Sequence, residues 1–263
     1  MPKIYVFEKN GGLCNNLKNL MATSRVAKEE NGFIKTKSKY FKPFLMNYNS
    51  NVNIKDYKKH RIKGPYLIAF ERDNLDKNLT KISIERYKDT YIRLRNGGFD
   101  IGFDNLPESL KNDYFNIIKS WNVRPHILNV VNEFAKKHFN NNTVSVHLRS
   151  WFSDHWPVHM KKEPYRNTNF FKMDSFIEHM SKYENSNFFV ASDNAKYIPI
   201  LKSKFPNRII TYNDTLFSQL ERDFIDVLLL SKNSIILGSY LSSFSEMSWW
   251  LSLGKSKLII ASM

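Results

Sequence analysis

The sequence predicts an α/β chain of two facing domains, each built on a parallel sheet with helices packed across its faces. Three observations carry that prediction. The second half alternates short, nearly continuous apolar runs with amphipathic stretches, the pattern of strands buried on both faces and joined by crossover helices. Residues 3–29 repeat strand, glycine turn and helix on the same scale. Between them the polar run Asn140-Asn141-Asn142 marks a boundary, which divides the chain into 1–140 and 141–263.

Taken in order, residues 3–8 read as a strand, Gly11-Gly12 as a turn, and 15–29 as a helix with Leu17, Leu20, Met21 and Val26 on one face. Residues 31–105 contain short strands, such as 66–70 and 91–94, separated by basic loops. A helix follows over 106–121. Another spans 125–139, opened by Pro125 and turning Ile127, Val130, Val131 and Phe134 inward. Five strands are then expected at 143–147, 187–191, 208–212, 234–237 and 257–260. The helices between them are expected at 173–183, 194–205, 220–231 and 243–253. The last opens on Ser243-Phe244-Ser245-Glu246, a capping-box pattern, and closes at Gly254.

Composition narrows the classes. At 263 residues, 42% hydrophobic and 14% aromatic, the chain has material for a sizeable core, which excludes wholesale disorder. The single cysteine, Cys14, excludes an intrachain disulfide framework. No apolar run approaches the ~18 residues of a membrane span, and the start reads as a strand rather than a signal peptide. The expectation is a cytoplasmic protein of a bacterium or of a virus in its host cytosol. The formal net charge of +15 is uneven, with 26 Lys+Arg and 14 Asp+Glu over 1–140 against 14 and 11 over 141–263. The densest stretch, 35–63, has Asp56 as its one acidic residue. It suits an anionic partner, including peripheral contact with a membrane surface, or a solvated face.

In open α/β sheets ligands bind past the carboxyl ends of the strands, and three segments fall there. Gly11-Gly12-Leu13-Cys14-Asn15-Asn16 offers close backbone approach followed by a helix N-terminus. It lacks the later glycines of the dinucleotide fingerprint. His147-Leu148-Arg149 ends a strand, with His147 and Arg149 on one side of it; a guanidinium there can hold a phosphate by two bonds. Gly238-Ser239-Tyr240-Leu241-Ser242-Ser243-Phe244 combines glycine, hydroxyls and a helix start, an anion cradle or an ordinary cap. Asp193, in Ala191-Ser192-Asp193-Asn194, either accepts from a ligand or caps a helix. Metal ligation is not expected: His155 and His159 are four apart, but Pro157 lies between them. No histidine is placed beside Cys14 for nucleophilic catalysis.

In this order the segments resemble the fucosyltransferase superfamily that uses GDP-fucose. It includes the bacterial nodulation, core α1,6-, α1,2- and protein O-fucosyltransferases. The family's Gly-rich loop matches Gly11-Gly12-Leu13-Cys14-Asn15-Asn16, and its H-x-R matches His147-Leu148-Arg149. Its A-[ST]-D matches Ala191-Ser192-Asp193. Its Asp-containing apolar helix matches Asp226-Val227-Leu228-Leu229-Leu230-Ser231, and its serine turn matches Ser242-Ser243-Phe244-Ser245. Cys14 stands for a usual glycine and Asn16 for a usual glutamine. The segment after Arg149 lacks the family's Arg-x-Asp.

The resemblance implies a GT-B-like fold of two facing Rossmann-like domains, the first on the acceptor side and the second binding the nucleotide sugar. It implies inverting, metal-independent transfer of a sugar, L-fucose first, from a GDP-sugar to a glycan, with no cofactor besides the donor. Arg149 would bind the β-phosphate and stabilise the leaving group. His147 and Asp193 would contact the guanosine. Ser242, Ser243 and the Phe244 amide would hold phosphates, Gly11 and Gly12 would help bind the donor, and Asn15 would lie near the reacting centre. Glu8, at the end of the first strand, is the candidate general base, with Asp154 second. Two alternatives stand beside this: a glycosyltransferase using another GDP-sugar, and a basic nucleic-acid- or glycan-binding protein without catalysis. Nucleic acid is not the expected partner, because the basic stretch carries no known binding motif.

Overall fold

The computed structural model describes residues 4–7, 12–29, 31–36, 41–46, 59–62, 108–150, 171–239 and 242–261. The strands expected at 66–70 and 91–94 lie outside these residues. So do Glu8, Gly11, Asp154 and the His155/His159 pair.

Strand β1 (Ile4–Phe7) leads through Gly12 into helix α1 (Leu13–Glu29), and the chain returns as β2 (Phe33–Thr36). A further strand, β3 (Lys59–Ile62), lies on the other side of β1. The sheet runs β2-β1-β3, all parallel, with Ile4 opposite both Phe33 and Lys59. Helix α1 starts two residues earlier than the sequence suggested. The Gly12 carbonyl accepts the Asn16 N–H at 3.1 Å and its side-chain amide at 2.8 Å. Cys14, Asn15 and Asn16 are therefore the first turn of a helix and not loop residues.

Helices α2 (Glu108–Lys119) and α3 (Pro125–His138) precede the second sheet, Pro125 being tolerated where a helix has no N–H partner. That sheet is built from β4 (Val144–Leu148), β5 (Phe188–Ser192), β6 (Ile209–Ile210), β7 (Ile235–Gly238) and β8 (Lys257–Ile260). Its crossovers are α4 (Met173–Ser181), α5 (Tyr197–Lys204), α6 (Gln219–Leu230) and α7 (Ser243–Leu251). All five strands are parallel in the order β6-β5-β4-β7-β8. The order in which strands are added reverses between β4 and β7, the switch point at which such sheets open a crevice. In the first sheet β1 likewise sits between two strands, β2 and β3, that both follow it in the sequence.

Two apolar clusters cover the faces of the five-stranded sheet. One packs Phe176, Met180, Leu201 and Phe205 from α4, α5 and the turn after α5 against Val146, Phe188 and Val190. The other runs through both halves of the chain, from Leu17 and Leu20 on α1 through Phe44, Ile127 and Val131 to Phe189, Phe224 and Trp250. Phe44 stacks on Phe224 at 4.4 Å, and Phe134 meets Phe189 edge-on at 5.9 Å. Such aromatic pairs contribute ~0.5–1.5 kcal/mol beyond their buried area. Helix α6 is opened by a full capping box between Ser218 and Glu221. No described helix is long and apolar enough to cross a membrane.

Candidate functional site

The carboxyl ends of β4 and β7 are laced together by serines. The Ser239 hydroxyl, just past β7, donates to the His147 carbonyl at 2.8 Å and accepts the Arg149 N–H at 2.7 Å. The Ser239 N–H donates to the Ser245 hydroxyl at 3.0 Å, and the same hydroxyl lies 2.8 Å from His147 Nδ1. Helix α7 therefore sits directly on the end of β7. Gly238 is what permits this: a Cβ there would fall 2.9 Å from both Ser245 Cβ and Leu258 Cδ1.

His147 is buried, and the Phe244 ring stacks on it at 4.7 Å and 20°. Burial, with the Arg149 charge second, lowers its pKa to about 3, so the ring is neutral at any working pH. Ser242 lies 3.5 Å from the same Nδ1, too far for a strong bond.

Arg149 directly follows β4, with its side chain partly exposed. Its Nη1 donates to Asp193 Oδ2 at 3.1 Å, the carboxylate being 12% exposed. Asp193 Oδ1 accepts both the N–H and the hydroxyl of Ser150 at 2.9 Å. Three bonds to one carboxylate fix where the guanidinium begins, while 29% of the Arg149 side chain stays open.

The start of α7 differs from the expected cap. Ser242, not Ser243, is the N-cap, and no side-chain cap bond forms. The capping box expected from Ser243 to Glu246 is absent because Glu246 is drawn away. One of its oxygens pairs with Lys18 Nζ of α1, and the other accepts Trp250 Nε1 at 3.2 Å. A helix start without a side-chain acceptor presents positively polarised N–H groups to a ligand.

Gly12 and the half-buried Asn15 stand on the α1 side of the crevice, and a Cβ on Gly12 would meet nothing within 4 Å. The structure thus gathers His147, Arg149, Asp193, Ser242 and Phe244 at one switch point, with Ser243 as the first residue of α7. Gly12 and Asn15 lie at the head of α1, which packs on α7.

Sequence reasoning included Ser239 and Ser245 in the serine-rich segment without assigning either a part, and it passed over Ser150; a serine directly after a strand-ending glycine was the available signal. It also passed over Asp223. Asp223 and Asp226 share one stripe of α6 with Gln219, whose amide donates to Asp223 Oδ1 at 2.7 Å. Asp226 is half-buried, and its carboxylate accepts no hydrogen bond from the described residues. Burial raises the pKa of both carboxyls, and Asp223 adds to the effect on Asp226. Arg149 is close enough to Asp223 to pull the other way.

No protein-family model and no curated relative matches the chain by sequence. Solved structures do match. Fucosyltransferase NodZ from Bradyrhizobium superposes with a TM-score of 0.56 at 14% identity, over 94% of this chain and 92% of that one. A mutant of Arabidopsis thaliana FUT1 in complex with GDP gives 0.58 at 13%, over 98% and 70%. POFUT1 in complex with GDP gives 0.51 at 11%, over 98% and 96%.

The chain has a fucosyltransferase-like fold. Its two parallel α/β sheets form the GT-B-like arrangement expected from the sequence. Within a fucosyltransferase-like fold, the His147–Arg149 strand end and the Ser242–Phe244 helix start lie at the switch point of the C-terminal sheet.

Proposed function

We propose that the protein is a glycosyltransferase that moves a sugar from a GDP-sugar, with L-fucose as the sugar, to a glycan acceptor with inversion. The observation that carries the reading is that Arg149 follows β4, whose end is bonded to Ser239 past β7, while α7 starts at the same switch point with no side-chain cap. A guanidinium and the N–H groups of a helix start are groups that can answer the charge of a departing diphosphate. Charge grows on its β-phosphate as the glycosidic bond breaks. These groups belong to the chain itself, so the reading assigns charge neutralisation to them and no step to a metal.

His147 supports the diphosphate indirectly. As a neutral ring clamped between Phe244 and Ser245, it holds α7 in place without adding charge. Asp193 serves the donor side by orienting Arg149. Asp226, lacking a partner of its own, suits a base edge with adjacent N–H donors. Guanine has that edge, whereas adenine and uracil interleave donors with acceptors. Residues 141–263 would thus form the donor side and 1–140 the acceptor side. On that side Gly12 and Asn15 would serve the transfer, with Glu8 as general base. The fold likeness to proteins crystallised with GDP, and to NodZ soaked with GDP-fucose, supports GDP over other nucleotides.

The test is turnover of GDP-fucose beside GDP-mannose, followed as GDP release with and without a panel of glycans. GDP release from GDP-fucose that falls at least a hundredfold in Arg149→Ala is the expected result. Turnover of GDP-mannose alone would move the reading to another GDP-sugar. Salt-dependent binding of duplex or single strand with no affinity for GDP would replace it with a nucleic-acid-binding role.

A further inference from the structure

Helix α7 carries a charge in the wrong place for the ligand assigned to it. Glu246 lies one turn inside the helix, its N–H bonded to the Ser242 carbonyl at 3.1 Å. Acidic residues in a first turn normally stabilise a helix by answering its positive end. Here that positive end is wanted by a diphosphate, so a bare carboxylate one turn away, about 5 Å along the axis, would repel the ligand and spend the dipole.

The carboxylate is not bare. Lys18 of α1 pairs with it, and the two side chains are only 12% and 16% exposed. The second oxygen is held by Trp250 Nε1 at 3.2 Å. The pair crosses from the N-terminal helix that follows Gly12 to the helix that follows Ser242. It thus ties α1 to α7. A pair this sheltered is screened little by salt. It is a poor source of net stability, because both groups give up water to form it. An apolar contact would serve as well for holding α1 on α7.

We propose that Lys18 is a specificity-determining residue for the diphosphate: it neutralises Glu246, so that the start of α7 is free to bind the anionic donor. It acts through Glu246 and touches no reacting atom. This rests on the reading that α7 receives the diphosphate of a GDP-sugar. It also explains how the donor half binds a dianion while carrying little net positive charge: one of the cations in the arrangement is supplied by the other half of the chain.

The experiment is calorimetric titration of GDP into the full-length protein and three variants, each checked for a native unfolding transition. Lys18→Met should weaken GDP on the order of tenfold, the size of one unscreened charge a turn away. Glu246→Gln should bind GDP at least as tightly as the wild type. The double variant should return to within about threefold of it. Loss of affinity in both single variants, with no recovery in the double, would show a structural brace and overturn the inference. So would an unchanged Lys18→Met. A wild-type protein that binds no GDP would instead overturn the functional reading beneath it.

Discussion

His147 Nδ1 lies 2.8 Å from the Ser245 hydroxyl, and that hydroxyl also accepts the Ser239 N–H at 3.0 Å. One oxygen thus holds the ends of β4 and β7 to the start of α7, all of it buried. Ser245→Ala leaves both the histidine and the Ser239 N–H without a partner. Destabilisation of about 1–3 kcal/mol by urea unfolding is expected, with GDP affinity falling further than stability explains.

The same histidine sets an acid response. Its folded pKa of about 3 lies below the ordinary value of 6.5, so between those limits the unfolded chain binds the extra proton. Stability is therefore lost as pH falls from 6.5 toward 3. The slope from this one group is about 1.4 kcal/mol per pH unit. Asp223 and Asp226, whose pKa values burial raises, slope the other way and remain in both proteins when wild type is compared with His147→Gln. Urea unfolding from pH 6 to 4 should show the wild type losing stability faster by about that slope.

Two glycines should behave oppositely. Gly238→Ala drives a Cβ into Ser245 and Leu258, and a cost of about 1–3 kcal/mol is expected. Gly12→Ala meets open space and should stay within about 0.5 kcal/mol of wild type. Thermal unfolding of both variants checks the contrast.

Much of this was legible in the sequence, for definable reasons. Buried parallel strands read as apolar runs, so β4, β5, β7 and β8 appeared within a residue or so of their places. Local amphipathicity revealed α3, α4 and α6 in the same way. β2 and β3 were missed as particular strands because Phe33–Thr36 and Lys59–Ile62 mix apolar and basic residues and show no apolar run. Helix α5 begins at Tyr197, later than Asp193-Asn194 suggested, because Asp193 is occupied with Arg149 and Ser150. Caps were the least legible. Ser243-Phe244-Ser245-Glu246 has the capping-box pattern but no such box, since tertiary partners take Ser245 and Glu246. Ser218 and Glu221 form one instead. His147, Arg149 and Asp193 could be read because they end strands. Apart from Ser239–Ser245, six residues apart, the serine lacing and the Lys18–Glu246 pair join residues 90 or more apart in sequence, and no local pattern announces them.

Asp193 should matter through Arg149. Asp193→Ala removes the bonds it makes to the guanidinium and to Ser150 together, and GDP affinity should fall roughly tenfold. Arg149→Lys should fare worse, because an ammonium cannot make the paired bonds of a guanidinium. Titration of GDP into each variant at one ionic strength ranks them.

The central claim is that the switch point binds the diphosphate of GDP through Arg149 and the start of α7. Calorimetric titration of GDP, UDP and ADP into the wild type and Arg149→Ala tests it most directly. The account predicts one GDP site per chain, UDP and ADP at least tenfold weaker, and a loss of about a hundredfold or more in Arg149→Ala. Equal affinity for all three nucleotides, or GDP binding that survives Arg149→Ala unchanged, would contradict it.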